Sequence, residues 1–193
     1  MTWDWSIYPE IRDDQRAALF EIGLTLTMLH AAEKAIQSCL SWVFADENAS
    51  SWQDIARMAE KDQCRTLGQL LRLLAERAEV RPEFRDRLFG FLKKRNRFIH
   101  GLFNEPDFNL DSPGSVRNVS AFLVDFQNDL WDVQNTFMQY GILFSKALGV
   151  HDEIMAGTSE HARKHLEQLM RNFNKVMEFK DKGSSNTASE AAP

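Results

Sequence analysis

Between Val116 and Phe144 apolar residues recur in alternating steps of three and four: Val116, Val119, Leu123, Phe126, Leu130, Val133, Phe137, Tyr140 and Phe144. That spacing keeps one face of an α-helix apolar for about eight turns, and it does not suit a strand, whose side chains alternate. A stripe of this length is stable only where other helices cover it. Three further stretches offer helical faces: Leu19, Ile22, Leu26, Leu29, position 33, Ile36, Leu40 and Val43; Phe84, Leu88, Phe91, position 95, Phe98 and Leu102; and Ala162, Leu166, Leu169, Phe173 and Val176. TLGQLLRLLAERA adds another helix, which Pro82 ends near Val80. There is no convincing alternating strand and no internal repeat. The expected architecture is all-α, a bundle of four to five helices.

The punctuation agrees with this reading. Ser51 followed by Asp54 resembles a capping box that opens a short helical segment, and Thr66 is placed to cap the next helix. Pro82 can begin the following helix, which is expected to run to about Phe103. NEPDFNLDSPGS, residues 104–115, reads as a loop, and the last helix is expected from Ser159 to Phe179. An aromatic arm (Trp3, Trp5, Tyr8) precedes the first helix, and DKGSSNTASEAAP has too little apolar content to pack. With 193 residues, the chain is expected to form one domain over residues 1–180 with a disordered tail over 181–193.

A composition of 44% hydrophobic and 26% charged residues, with no apolar run near the roughly 20 residues that span a bilayer, predicts a soluble chain with no membrane partner. MTWDWSIYPEIRDD does not read as a secretory signal, so a cytoplasmic location is expected. Cys39 and Cys64 have no metal-type spacing and read as buried thiols. His161 and His165 lie four apart, but their face continues as Gln168 and Asn172, so no third ligand follows and neither a metal nor a cofactor is expected. Phe126, Trp131 and Phe137 could stack on bases, yet their helical spacing favours core packing.

Charge is distributed unevenly. The net charge is −5, yet residues 57–97 carry 12 Lys and Arg against 6 Asp and Glu. In KKRNRFIHGLF the apolar pattern is broken by Arg95, and in the first helix it is broken by Glu33. Two lone charges on apolar seams are least costly when they face each other, so a structural Glu33–Arg95 ion pair is expected. On a straight α-helix His100 lies about 140° around from Arg95, whereas Asn96 shares its face.

R-N-x-x-x-H near the end of a helix, in a small all-α chain, resembles the signature of the HEPN superfamily (higher eukaryote and prokaryote nucleotide-binding). In many of its members an arginine, commonly followed by a polar residue, and a histidine four to six residues further on form a metal-independent RNase site. The resemblance covers about Leu19 to Leu148 and implies an endoribonuclease that attacks a phosphate with the adjacent 2′-hydroxyl and leaves 2′,3′-cyclic ends. His100 would move protons, Arg95 would stabilise phosphoryl charge, and Asn96 would orient the phosphate or the imidazole. Lys93, Lys94 and Arg97 are the expected RNA contacts. The resemblance also implies a homodimer with the motif at its interface, a role as a toxin or phage-defence effector, and a protein antitoxin or regulator as partner. Some toxin members carry a tyrosine two residues after the histidine that a partner enzyme modifies; Leu102 stands there, which puts that mode of control in doubt. The alternative is a catalytically inactive HEPN-like module that binds RNA, a nucleotide or a protein.

Overall fold

The computed structural model describes residues 11–43, 67–106 and 108–179. Six α-helices occur among these residues: α1 (Asp13–Val43), α2 (Leu67–Arg77), α3 (Pro82–Asn96), α4 (Pro113–Ala147), α5 (His151–Ala156) and α6 (Glu160–Arg171). Two strands, β1 (Ala78–Val80) and β2 (Met177–Phe179), form one small antiparallel sheet. The expected all-α class is therefore observed, with one helix more than the pattern suggested. The aromatic arm, the Ser51 and Thr66 caps, Cys64 and the tail over 181–193 lie outside the described residues. None of the described helices is long and apolar enough to cross a membrane.

Local chemistry sets the helix ends. At the start of α1, Gln15 Oε1 accepts from the Arg12 N–H at 2.8 Å, one half of a capping box, and Asp13 and Asp14 complement the helix dipole. Ser112 Oγ accepts from the Ser115 N–H at 3.2 Å, with Pro113 as the first residue of α4, and Ser159 Oγ caps α6 through the Ala162 N–H at 3.3 Å. Gly149 ends α4. Its φ of 74° is open to glycine, and the bonds Gly149 N–H to Lys146 O (3.1 Å) and Val150 N–H to Ser145 O (3.0 Å) complete a Schellman motif. This sharp stop is what makes α5 a separate helix.

The described residues pack as two compact units. The first holds 11–32 and 90–133. Its core centres on Phe126, whose ring lies 5.9 Å from Phe91, 5.7 Å from Phe98 and 5.9 Å from Phe122, centroid to centroid. Thr25, fully buried, donates to the Glu21 carbonyl at 2.7 Å and accepts from Gln127 Nε2 at 2.8 Å, so its hydroxyl is satisfied.

The second unit holds 33–43, 67–89 and 134–179 and buries Ile36, Leu40, Leu74, Phe84, Phe137 and Met177. Here β1 pairs with β2 in the register Ala78↔Phe179, Glu79↔Glu178 and Val80↔Met177. The Tyr140 hydroxyl donates to Met177 O at 2.9 Å and accepts from the N–H groups of Val176 (2.8 Å) and Met177 (2.6 Å). Those contacts explain a departure from the expected helix over 159–179. The helix stops at Arg171, and Asn172 and Asn174, poor helix formers, precede a segment that is claimed by the sheet and by Tyr140.

The α4 stripe is buried from Val116 through Tyr140 as its spacing predicts. The α1 stripe is buried at Leu29, Ile36 and Leu40 but not before them. Leu19 and Leu26 are 40% and 52% exposed, and the buried residues are Ala18, Thr25, Leu29, Ala32, Ile36, Cys39 and Leu40. Small side chains line this seam, and the Thr25 bond to Gln127 secures α1 to α4 in the first unit. The seam thus passes through Ala32, and Glu33 is half-buried beside it. Trp131 also departs from the core role given to it, at 51% exposure, because it follows the buried Leu130 by one residue, or about 100° around the helix. Phe126 and Phe137 are fully buried, as expected.

Candidate functional site

The R-N-x-x-x-H motif closes α3. Arg95 and Asn96 are the last two residues of the α-helix, and His100 lies in a π turn over Arg97–Gly101, followed by a 3₁₀ turn over Leu102–Asn104. Two apolar anchors hold this widened end in the first unit: Leu102 is 1% exposed, and Phe98 packs on Phe126. Between these anchors Asn96, Ile99 and His100 face outward, and Arg95 is half-buried. The Asn104 side chain donates to the His100 carbonyl at 3.0 Å, satisfying an acceptor at the helix end.

A π turn bonds residue i to i+5 and therefore turns the chain by less per residue than the α-helix does. His100 accordingly comes nearer to the face of Arg95 than the about 140° of a straight helix. Arg95 Nη1 donates to Asn96 Oδ1 at 3.4 Å, which leaves the Asn96 Nδ2 group as a donor toward an approaching ligand. The motif therefore presents one guanidinium, one amide donor and one exposed imidazole within six residues.

The expected RNA contacts differ among themselves. Lys93 is exposed. The Lys94 ammonium lies 2.7 Å from Asp125 Oδ2 and 2.7 Å from Asp129 Oδ2, both on α4. Partial burial disfavours its charge, but the hydrogen bonds and charges of the two carboxylates outweigh that, and its pKa is raised. Arg97 donates from Nε to Glu105 Oε1 at 2.7 Å and from Nη2 to Glu105 Oε2 at 2.6 Å. Its guanidinium carbon is 4.2 Å from the Phe108 ring centre and 4.9 Å from that of Phe122. The paired hydrogen bonds raise the Arg97 pKa and hold the Glu105 carboxyl below its ordinary value. Of the basic segment read from sequence, two cations are thus held by neighbouring carboxylates.

Glu33 and Arg95 are both half-buried, and they belong to different units. Cys39 is buried, and desolvation pushes its thiol pKa well up, so it stays protonated. His161 is exposed and His165 half-buried on α6, and among the described residues no three His, Cys, Asp or Glu side chains converge. Sequence reasoning missed Glu105, Phe108, Phe122, Asp125 and Asp129 as neighbours of the motif. The spacing of Asp125 and Asp129, four apart on one helix face, was the available signal.

No protein-family model, curated protein or solved structure matches this chain.

Proposed function

We propose that this chain is a metal-independent endoribonuclease of the HEPN type. The observation that carries the reading is the exposure of Asn96, the last residue of α3, and of His100, in the anchored π turn that follows, with Arg95 directly before them. A turn of this kind is uncommon within helices and is frequent at functional sites. An exposed imidazole on an anchored turn is accessible to a polymeric substrate and can serve as a general acid or base.

In the proposed reaction the ribose 2′-oxygen attacks the adjacent phosphorus while the bond from phosphorus to the 5′-oxygen breaks. The 2′-proton departs and the 5′-oxygen gains one, giving a 2′,3′-cyclic phosphate and a 5′-hydroxyl. His100 carries one of these protons. Arg95 stabilises charge on the non-bridging oxygens, and the Asn96 amide orients the phosphate. A homodimer that brings two motifs to one cleft belongs to the same proposal.

The carboxylates on Lys94 and Arg97 favour a second reading, a HEPN-like module that binds RNA, a nucleotide or a protein without cleaving, since they weaken the field that would draw RNA. Incubating the purified protein with total RNA in EDTA beside His100→Ala separates the two. Cleavage by the parent alone, with cyclic phosphate ends, supports the enzyme; RNA retained and uncut by both supports the module.

A further inference from the structure

The second unit contains a groove of about 460 Å³ that the motif does not use, bordered by the end of α4, α5 and α6. Its size is within the range of small-molecule sites. The floor is apolar, made by Ile142, Met155, Leu166 and Met170, and two of these are methionines, which adapt to irregular ligands. The rim carries Lys146, His151, Glu167 and Arg171. Lys146 and Arg171 are both exposed, and both line the groove.

Two further features fit a ligand. α6 segregates its apolar residues on one side, yet none of its residues is buried, so its apolar face is only half covered. The imidazole of His151 is held at the groove: buried Ser145 Oγ lies 2.7 Å from Ile142 O and 3.1 Å from His151 Nδ1.

We propose that this groove binds a small organic anion with an apolar body, of which a medium-chain carboxylate is the simplest case. The apolar floor takes the chain, Lys146 and Arg171 take the head group, and Glu167 is the like charge that moderates affinity. Two cations against one carboxylate select an anion over a neutral or cationic analogue. The site does not depend on the RNase reading.

The test is titration of the full chain, with methionine methyl groups ¹³C-labelled, by decanoate, decanol and decyltrimethylammonium, each below its aggregation concentration. Decanoate is expected to shift the Met155 and Met170 methyl signals, with decanol and decyltrimethylammonium weaker by roughly tenfold or more. Joint Lys146→Ala and Arg171→Ala substitution, both at exposed sites, should weaken decanoate by at least roughly tenfold, and Glu167→Gln should tighten it. Absence of methyl shifts, equal affinity for decanoate and decanol, or unchanged binding in the double variant would overturn the proposal.

Discussion

Arg97 and Glu105 grip each other through two parallel hydrogen bonds of 2.7 and 2.6 Å across the end of the helix that bears the motif. The guanidinium also lies against Phe108 and Phe122, so a planar donor fork is fixed between a carboxylate and two aromatic faces. The other end of the loop is tied to the start of α1: Arg12 donates to the carbonyls of Asp111 (3.0 Å) and Leu110 (3.2 Å), and Gln15 Nε2 to that of Leu110 at 2.7 Å. The loop after the motif is therefore tethered at both ends within the first unit.

Glu105→Gln removes the charge from one tether and should raise hydrogen exchange over residues 105–112 while leaving α4 protected. Acid should imitate it. The folded pKa of Glu105 is depressed below its ordinary 4.5, so its contribution is present above that value and is lost as pH falls through the lower folded value. Loop exchange, corrected for its intrinsic pH dependence, should increase below about pH 4.5 in the parent and stay flat in the variant. Matching acid profiles in the two proteins would remove Glu105 as the cause.

Lys94 bridges two carboxylates that lie four apart on α4. Lys94→Met keeps the stem and deletes the charge, leaving Asp125 and Asp129 to repel, at a cost of about 1 kcal/mol in urea unfolding at low salt. The difference should shrink at high salt, because screening weakens the attraction lost and the repulsion gained. The converse double substitution, Asp125→Asn with Asp129→Asn, releases the ammonium. RNA affinity should then rise, with the salt slope steeper by roughly one contact. An unchanged slope would show that Lys94 does not face the RNA.

The legible parts of the fold were those set by local spacing. The α4 stripe is buried almost residue for residue because its unbroken steps of three and four keep one face apolar. In α1, by contrast, Leu19 and Leu26 are the larger side chains, yet the seam passes through Ala18, Thr25 and Ala32, a choice that depends on how closely α4 approaches and on Gln127 as a distant partner for Thr25. The β1–β2 pairing joins residues about a hundred apart, and nothing within either triplet announces it. At the site, the residue types of the motif were legible. The π turn and the carboxylates on Lys94 and Arg97 were not, since those partners arrive from a loop and from another helix.

Tyr140 holds β2 through its hydroxyl, and its ring packs against Phe173 at 5.4 Å. Tyr140→Phe should keep that packing and strand one carbonyl and two N–H groups, destabilising the chain by about 2 kcal/mol or more. Desolvation raises the Tyr140 pKa above 10, so this contribution is complete below pH 10 and declines as pH rises through the folded value. A cost under about 0.5 kcal/mol in urea unfolding would mean that water replaces the phenol without loss.

His100→Ala should abolish RNA cleavage with the melting temperature nearly unchanged, since an exposed imidazole contributes little packing. Residual cleavage equal to the parent's would end the enzyme reading. Asn96→Ala should lower kcat with less effect on KM if the amide acts chiefly on the phosphate in the transition state.

The same charges bear on the proposed homodimer. Residues 57–97 suggested a strong basic field, but Lys94 and Arg97 are held by carboxylates of their own unit, so one copy of the motif attracts a polyanion less than its sequence implies. A scissile phosphate also needs donors on several sides, whereas Arg95, Asn96 and His100 all approach from a single helix end. A two-fold axis beside the π turn would answer both needs, doubling the imidazoles and guanidinia around one cleft and summing two weakened fields. On this hypothesis cleavage per chain falls as the protein is diluted through its dimer dissociation, and mixing His100→Ala with parent chains lowers activity more than in proportion to the parent fraction. Sedimentation and cleavage measured over one dilution series decide it: a monomer with full specific activity would show that a single helix end is sufficient.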